Sequence, residues 1–239
     1  MQAGIKLSTS ENLKNIYERY HQQGVSEWRK LAAMDKAKHI LALCQNIKHE
    51  KVIEVGAGDG SVLARLGEVG FAKEMFALEI AESAVKTISG RNLQSLVECK
   101  IFDGYAVPYG DKQFDLAIAT HVIEHVEHPR LLLEELKRIA THVFIEVPLE
   151  YNFLGMRDAD HAFKYGHINF FNPLLFSNLL KNMGFEIVDS RIHNSSLYIY
   201  KFQSGWKGVP KYFLKQAFLQ LSPRTATKLF SYLYLILYK

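Results

Sequence analysis

The segment Val52-Ile53-Glu54-Val55-Gly56-Ala57-Gly58-Asp59-Gly60-Ser61 combines closely spaced glycines with a carboxylate two positions before the first of them. It follows a short apolar run and precedes a helix-like stretch, the context in which glycines let a backbone turn tightly and approach a ligand. A dinucleotide loop reads G-x-G-x-x-G, whereas Ser61 stands where the third glycine would fall and the glycine comes at 60. A carboxylate at 54 would repel a pyrophosphate, but it suits a cation such as a sulfonium or an ammonium group. Glu79 ends the next apolar run, FALEI, about 20 residues on, where a carboxylate accepts from ribose hydroxyls. Asp103-Gly104 follows a third run, which places Asp103 to accept from an adenine amino group. The candidate cofactor contacts are Glu54, Gly56, Ala57, Gly58, Gly60, Glu79, Ile80, Asp103, Gly104 and Thr120.

A second group of residues could move a proton. Six of the ten histidines, at 121, 125, 128, 142, 161 and 167, fall within 47 residues, where chance would place about two. His121-Val122-Ile123-Glu124-His125 follows the fourth apolar run, FDLAIAT, and its i, i+3, i+4 spacing can bring three side chains to one face of a helical turn. An imidazole titrates near neutral pH, so His121 or His125 is a candidate general base, with His167 a further candidate. A purely structural role for Glu124 and His125 remains open at this point.

These residues need a scaffold that converges on them. KVIEVG, EMFALEI, LVECKIF, FDLAIAT and HVFIEVP are short runs rich in Val, Ile and Phe, separated by helix-like segments near 60–67, 81–89 and 129–140. Runs apolar on both sides and alternating with helices indicate a mostly parallel sheet covered on both faces. Residues 11–47 read as two helices broken near Gly24, Asn172-Pro173 opens another helix, and FEIVDSRI and SLYIYKF read as a closing strand pair. Residues 205–239 read as two helical pieces divided at Ser222-Pro223, the second ending in the apolar run Leu229–Tyr238. That end is expected as a packed terminal helix, a lid, a dimer contact or an interfacial membrane helix.

Composition sets the outer bounds. The 239 residues are 48% hydrophobic and 23% charged, with two cysteines and no C-x-x-C pair, so disulfide-framework and zinc-clip classes fall away. The N-terminus lacks an apolar signal core and no run nears the roughly 20 apolar residues of a membrane span, so a cytoplasmic location is expected. From Ser190 onward there are eight basic residues and no acidic one, while residues 1–189 carry a net charge of −4. A basic, aromatic tail of this kind suggests an anionic partner, a phosphate-bearing molecule or a membrane surface contacted peripherally.

With the glycine loop, Glu79, Asp103-Gly104, FDLAIATHVIEHVEHP and GHINFFNPLLFSNLLKNMGFEIV in order, the chain resembles the class I S-adenosylmethionine-dependent methyltransferases over roughly residues 30–203. The resemblance implies a Rossmann-like, seven-stranded sheet at 49–203, flanked by a helical cap (1–48) and a helical tail (204–239). It also implies S-adenosylmethionine held by Glu54, Gly56, Gly58, Glu79 and Asp103. The expected reaction is O-methylation of a hydroxyl on a small-molecule, lipid-linked or glycan acceptor. Partial resemblance to methyltransferases acting on the 2′-hydroxyl of small-RNA ends rests on Glu124-His125, Pro148-Leu149-Glu150-Tyr151-Asn152 and Asp160-His161-Ala162-Phe163. It implies Glu124, His125 and His161 as ligands of a divalent metal, with His121 in place of that family's first Glu. Such an imidazole-rich set favours Mn, Fe, Co or Zn over Mg. RNA-end methylation and a non-catalytic cofactor-binding subunit are the alternatives.

Overall fold

The computed structural model describes residues 9–22, 26–158 and 166–239. The chain enters through α1 (Glu11–Gln22) and α2 (Glu27–Cys44), the latter capped by Ser26, whose side chain accepts from the Arg29 N–H. The Gly24 break lies outside the described residues. Strands β1 (Lys51–Val55), β2 (Glu74–Glu79), β3 (Leu96–Ile101), β4 (Phe114–Thr120) and β5 (Ala140–Leu149) fall on the five apolar runs and pair in parallel. Helices α3 (Ser61–Glu68), α4 (Glu82–Gly90) and α5 (Pro129–Ile139) occupy the expected connections. Then α6 (Pro173–Asn182) starts at the expected Asn172 cap and leads into β6 (Ile187–His193).

The end of the chain departs from expectation. SLYIYKF is helix α7 (Leu197–Ser204), not a strand, and α8 (Gly208–Leu221) and α9 (Pro223–Leu229) follow. The terminal apolar run is not a helix, interfacial or packed. It is β7 (Tyr232–Tyr238), inserted antiparallel between β5 and β6 to give the seven-stranded order β3-β2-β1-β4-β5-β7-β6. An interior strand of a covered sheet must be apolar on both sides. Tyr232-Leu233-Tyr234-Leu235-Ile236-Leu237-Tyr238 meets that condition, whereas Leu197–Ser204 buries only Ile199 and Tyr200 and packs as a helix beside α2, with Phe202 on Trp28. The sheet that begins at Lys51 is therefore completed by residues of the tail.

Two cores result, one on each face of the sheet. Alternate strand residues divide between them: Val52, Leu116, Phe144 and Leu235 meet α2 and α3, while Ile53, Ala117, Ile145 and Ile236 meet α5 and α6. The fold is the Rossmann-like methyltransferase architecture, and its strand order reverses between β1 and β4, where open α/β sheets form a ligand crevice at their carboxyl ends. No helix among the described residues is long and apolar enough to cross a membrane.

Candidate active site

The glycine loop leaves β1 at that crevice. Gly56, Gly58 and Gly60 have φ of +74°, +58° and +74°, a left-handed conformation that strains any residue with a Cβ. A Cβ at Gly56 would also stand 2.5 Å from Val122 Cγ2. Gly60 has a different job: it is the left-handed N-cap of α3, and a Cβ there would press on Ile88 at 3.0 Å. Gly56, Ala57, Gly58, Ile80, Gly104 and Thr120 line the cavity described below, together with Glu54 and Glu79.

The carboxylates around the loop differ in how they are held. Glu79 accepts from the N–H groups of Gly58 (2.8 Å), Ile80 (2.8 Å) and Ala81 (3.4 Å), which fastens the loop to the end of β2. Burial raises its pKa, and those three donors oppose the rise. Asp103 accepts from Tyr105 and Ala106 N–H through Oδ1, and its flanking residues Phe102 and Gly104 reach the cavity. Glu54 is buried, and its Oε2 has no hydrogen-bond partner among the described residues. Burial pushes its pKa up to about 8, Lys36 opposes the rise, and Asp59 and Glu79 add to it. A buried carboxylate lacking a donor is costly unless a ligand supplies one. A cationic amino group fits that need, so the pocket suits S-adenosylmethionine on its own chemistry.

At the end of β4 the chain turns at His121, whose φ of +55° is a left-handed strain in a non-glycine residue. Its Nε2 lies 3.0 Å from Glu146 Oε1 and its Nδ1 3.2 Å from Glu124 Oε1, and His39 Nδ1 holds the other oxygen of Glu146 at 2.6 Å. Burial and Lys36 push the His121 pKa down, but the two carboxylates outweigh them and it stands raised. With both ring nitrogens facing carboxylates, His121 has neither left for a substrate or a metal. His125 differs. Its Nδ1 donates to the Gly166 carbonyl (3.0 Å), which leaves Nε2 for the site, and burial lowers its pKa.

Among the described residues, Glu124, His125 and His167 bring one ligand atom each within 4.8 Å of one another. Ile168 and Asn169 N–H donate to the Glu124 carbonyl, which pins the His167 segment against the turn. His167 Nδ1 meets Glu150 Oε2 at 2.6 Å, leaving its Nε2 for the site. Glu124 Oε1 faces His121 Nδ1 at 3.2 Å, while Oε2 has no hydrogen bond within the described residues. A carboxylate with one free oxygen and two imidazoles fit a divalent transition metal. His161 lies outside the described residues.

Glu54, Glu79, His121, His125, Glu146 and His167 line one cavity of about 1020 Å³, ample for a cofactor and an acceptor together, whereas Gly60, Asp103 and Glu124 do not line it. Leu13 and Tyr17 of α1, Trp28 and Lys36 of α2, and Tyr200, Lys211, Lys215 and Tyr232 from the tail also line it. Sequence reading missed Lys36, His39, Glu146 and Lys215. Glu146 and Lys36 lie in ordinary strand and helix context, and only the tertiary fold brings them to the site. Lys215 did carry a signal, as part of the acid-free tail.

Fold, crevice and glycine loop together define a class I S-adenosylmethionine-dependent methyltransferase. Residues 25–190 match the family described as Methyltransferase domain, and the chain belongs to that family. It is 23% identical over 181 residues to the uncharacterized protein MJ1123 of Methanocaldococcus jannaschii, covering 72% of this chain and 82% of that one. Over 97 residues it is 39% identical to protein-L-isoaspartate O-methyltransferase 1 of Nitrosospira multiformis, covering 38% of each. Geranyl diphosphate C-methyltransferase from Streptomyces coelicolor A3(2) shares the fold with a TM-score of 0.68 at 7% identity, covering 98% of this chain and 99% of that one. The protein is an S-adenosylmethionine-dependent methyltransferase.

Proposed function

We propose that this enzyme methylates a hydroxyl group, with His125 as the general base and Glu54 as the anchor of the cofactor's amino group. The observation that carries the reading is the geometry of His125: a half-buried imidazole whose Nδ1 faces the Gly166 carbonyl, which leaves Nε2 for the site, and whose pKa burial lowers. S-adenosylmethionine supplies an electrophilic methyl group on a sulfonium. With the cofactor bound, His125 Nε2 would take the proton of the acceptor hydroxyl. The His39–Glu146–His121–Glu124 chain fixes the β4 turn and thereby the direction of His125. Glu79 and Asp103 hold the nucleoside, and the α1 and α2 walls exclude water.

The same cluster supports a second reading, a metal-dependent 2′-O-methyltransferase acting on RNA ends. Glu124, His125 and His167 would hold the ion, which would lower the acceptor hydroxyl's pKa. The test is His125→Ala assayed against a panel of hydroxyl acceptors, with metal analysis of the as-purified protein. Loss of about 10²-fold or more in kcat with unchanged cofactor affinity is expected. Stoichiometric metal that disappears in His125→Ala would favour the second reading. Full activity of a metal-free His125→Ala protein would contradict both.

A further inference from the structure

Lys215 sits where a lysine is costly. It is 8% exposed, lines the cavity, and donates to the Ser231 carbonyl at 2.5 Å, with its Nζ 4.8 Å from the Tyr232 ring centre and 5.4 Å from that of Tyr200. Lys211, one turn earlier on α8, lines the same cavity and is exposed. The carboxylates that also line the cavity here are engaged elsewhere. Glu150 holds His167, Glu146 lies between His39 and His121, and Asp35 accepts from the Ser196 N–H. No acidic residue occurs anywhere after Asp189.

We propose that Lys211 and Lys215 form an oxyanion subsite for the methyl acceptor, which therefore carries a phosphate or carboxylate group as well as its reacting hydroxyl. The proposal rests on the hydroxyl-methylation reading above and adds the acceptor's charge class. Register gives the direction. Tyr232 pairs with Leu149, so Ser231 and the lysine it holds stand at the carboxyl end of β5, two strand positions from the β4 end that carries His125. The oxyanion would thus be bound on the β5–β7 side of the oxygen that is methylated. The tyrosine rings on either side tolerate the lysine in both protonation states and give an aromatic or allylic acceptor a flat wall. Burial, and then the neighbouring Lys211 charge, lower the Lys215 pKa to about 7. An incoming oxyanion reverses both effects and holds the lysine charged.

The test uses the full-length protein with and without S-adenosylhomocysteine, titrated with inorganic phosphate, pyrophosphate and malonate against sodium chloride of matched ionic strength. Binding and thermal stability are followed in the wild type, Lys215→Met and Lys211→Ala. Phosphate or pyrophosphate is expected to bind and raise the Tm where chloride does not, about tenfold or more weakly in each variant. The S-adenosylhomocysteine affinity should be retained in both variants. Malonate binding with the same loss would support the subsite and assign it to a carboxylate. No oxyanion binding beyond chloride, or equal binding by wild type and Lys211→Ala, would overturn it; the exposed Lys211 position guards against a Lys215→Met protein that fails to fold. Failure of S-adenosylhomocysteine to bind would instead count against the methyltransfer reading, and the titrations made without it would still decide the subsite.

Discussion

Glu54 gives the methyltransferase account its sharpest consequence at the scale of one residue. Burial pushes its pKa up to about 8, so at pH 7 the carboxyl is largely protonated before cofactor binds. A cation placed against Oε2 lowers that pKa, and the proton must leave. Binding at pH 7 is therefore expected to release up to one proton, seen as a binding enthalpy that varies with the buffer's ionisation enthalpy. Near pH 9, where the group is already ionised, the release should vanish, and Glu54→Gln should abolish it at every pH while weakening binding by about 1.5–3 kcal/mol. A binding enthalpy independent of buffer at pH 7 would contradict the role given to Glu54. The importance of this residue was legible in the sequence, because an acidic residue before a glycine loop is a local pattern. The His39–Glu146–His121 clamp was not, since its members lie 107 and 25 residues apart and meet only when β5 stands beside β4 and under α2.

At the scale of elements, β7 decides how the tail is understood. Its Leu residues face the α2 core, and its Tyr and Ile residues face the α5 core. That period-two alternation was present in the sequence, but the density of apolar residues masked it. A dense run satisfies a helical pattern and a strand pattern alike. The five parallel strands were readable because each is followed by a turn or a helix start; β7 instead continues an apolar stretch that begins at the end of α9. If β7 is an interior strand, Ile236→Ala should cost about 2–4 kcal/mol and lower a single cooperative unfolding transition. An appended tail would instead leave the main transition in place. Tyr238→Phe should act in the opposite direction. Its buried hydroxyl has no hydrogen-bond partner among the described residues, so its removal should be neutral or stabilising by about 1 kcal/mol in denaturant unfolding.

Across the whole molecule, chemistry is divided by position along the sheet. In the proposed reading the β1–β3 ends and the glycine loop would form the cofactor half of the cavity, the β4 turn would supply the proton-transfer group, and β5, β7 and α8 would form the acceptor half. Charge differs along the cavity, with the buried Glu54 and Glu79 at the first end and the tail lysines Lys211 and Lys215 at the last. The cofactor half was legible because it is built from consecutive residues at strand ends. The acceptor half was not, because α7, α8 and the start of β7 assemble it from segments whose placement depends on the strand between β5 and β6. All of these assignments depend on cofactor occupying the crevice at β1 and β4. Isothermal titration of S-adenosylmethionine into the wild type and Gly56→Ala tests this most directly, because a Cβ at Gly56 combines left-handed strain with overlap onto Val122. The expected result is one site per chain in the wild type and binding weakened at least about tenfold in a folded Gly56→Ala protein. A folded wild type that takes up no S-adenosylmethionine, or a Gly56→Ala protein that binds it equally well, would contradict the account.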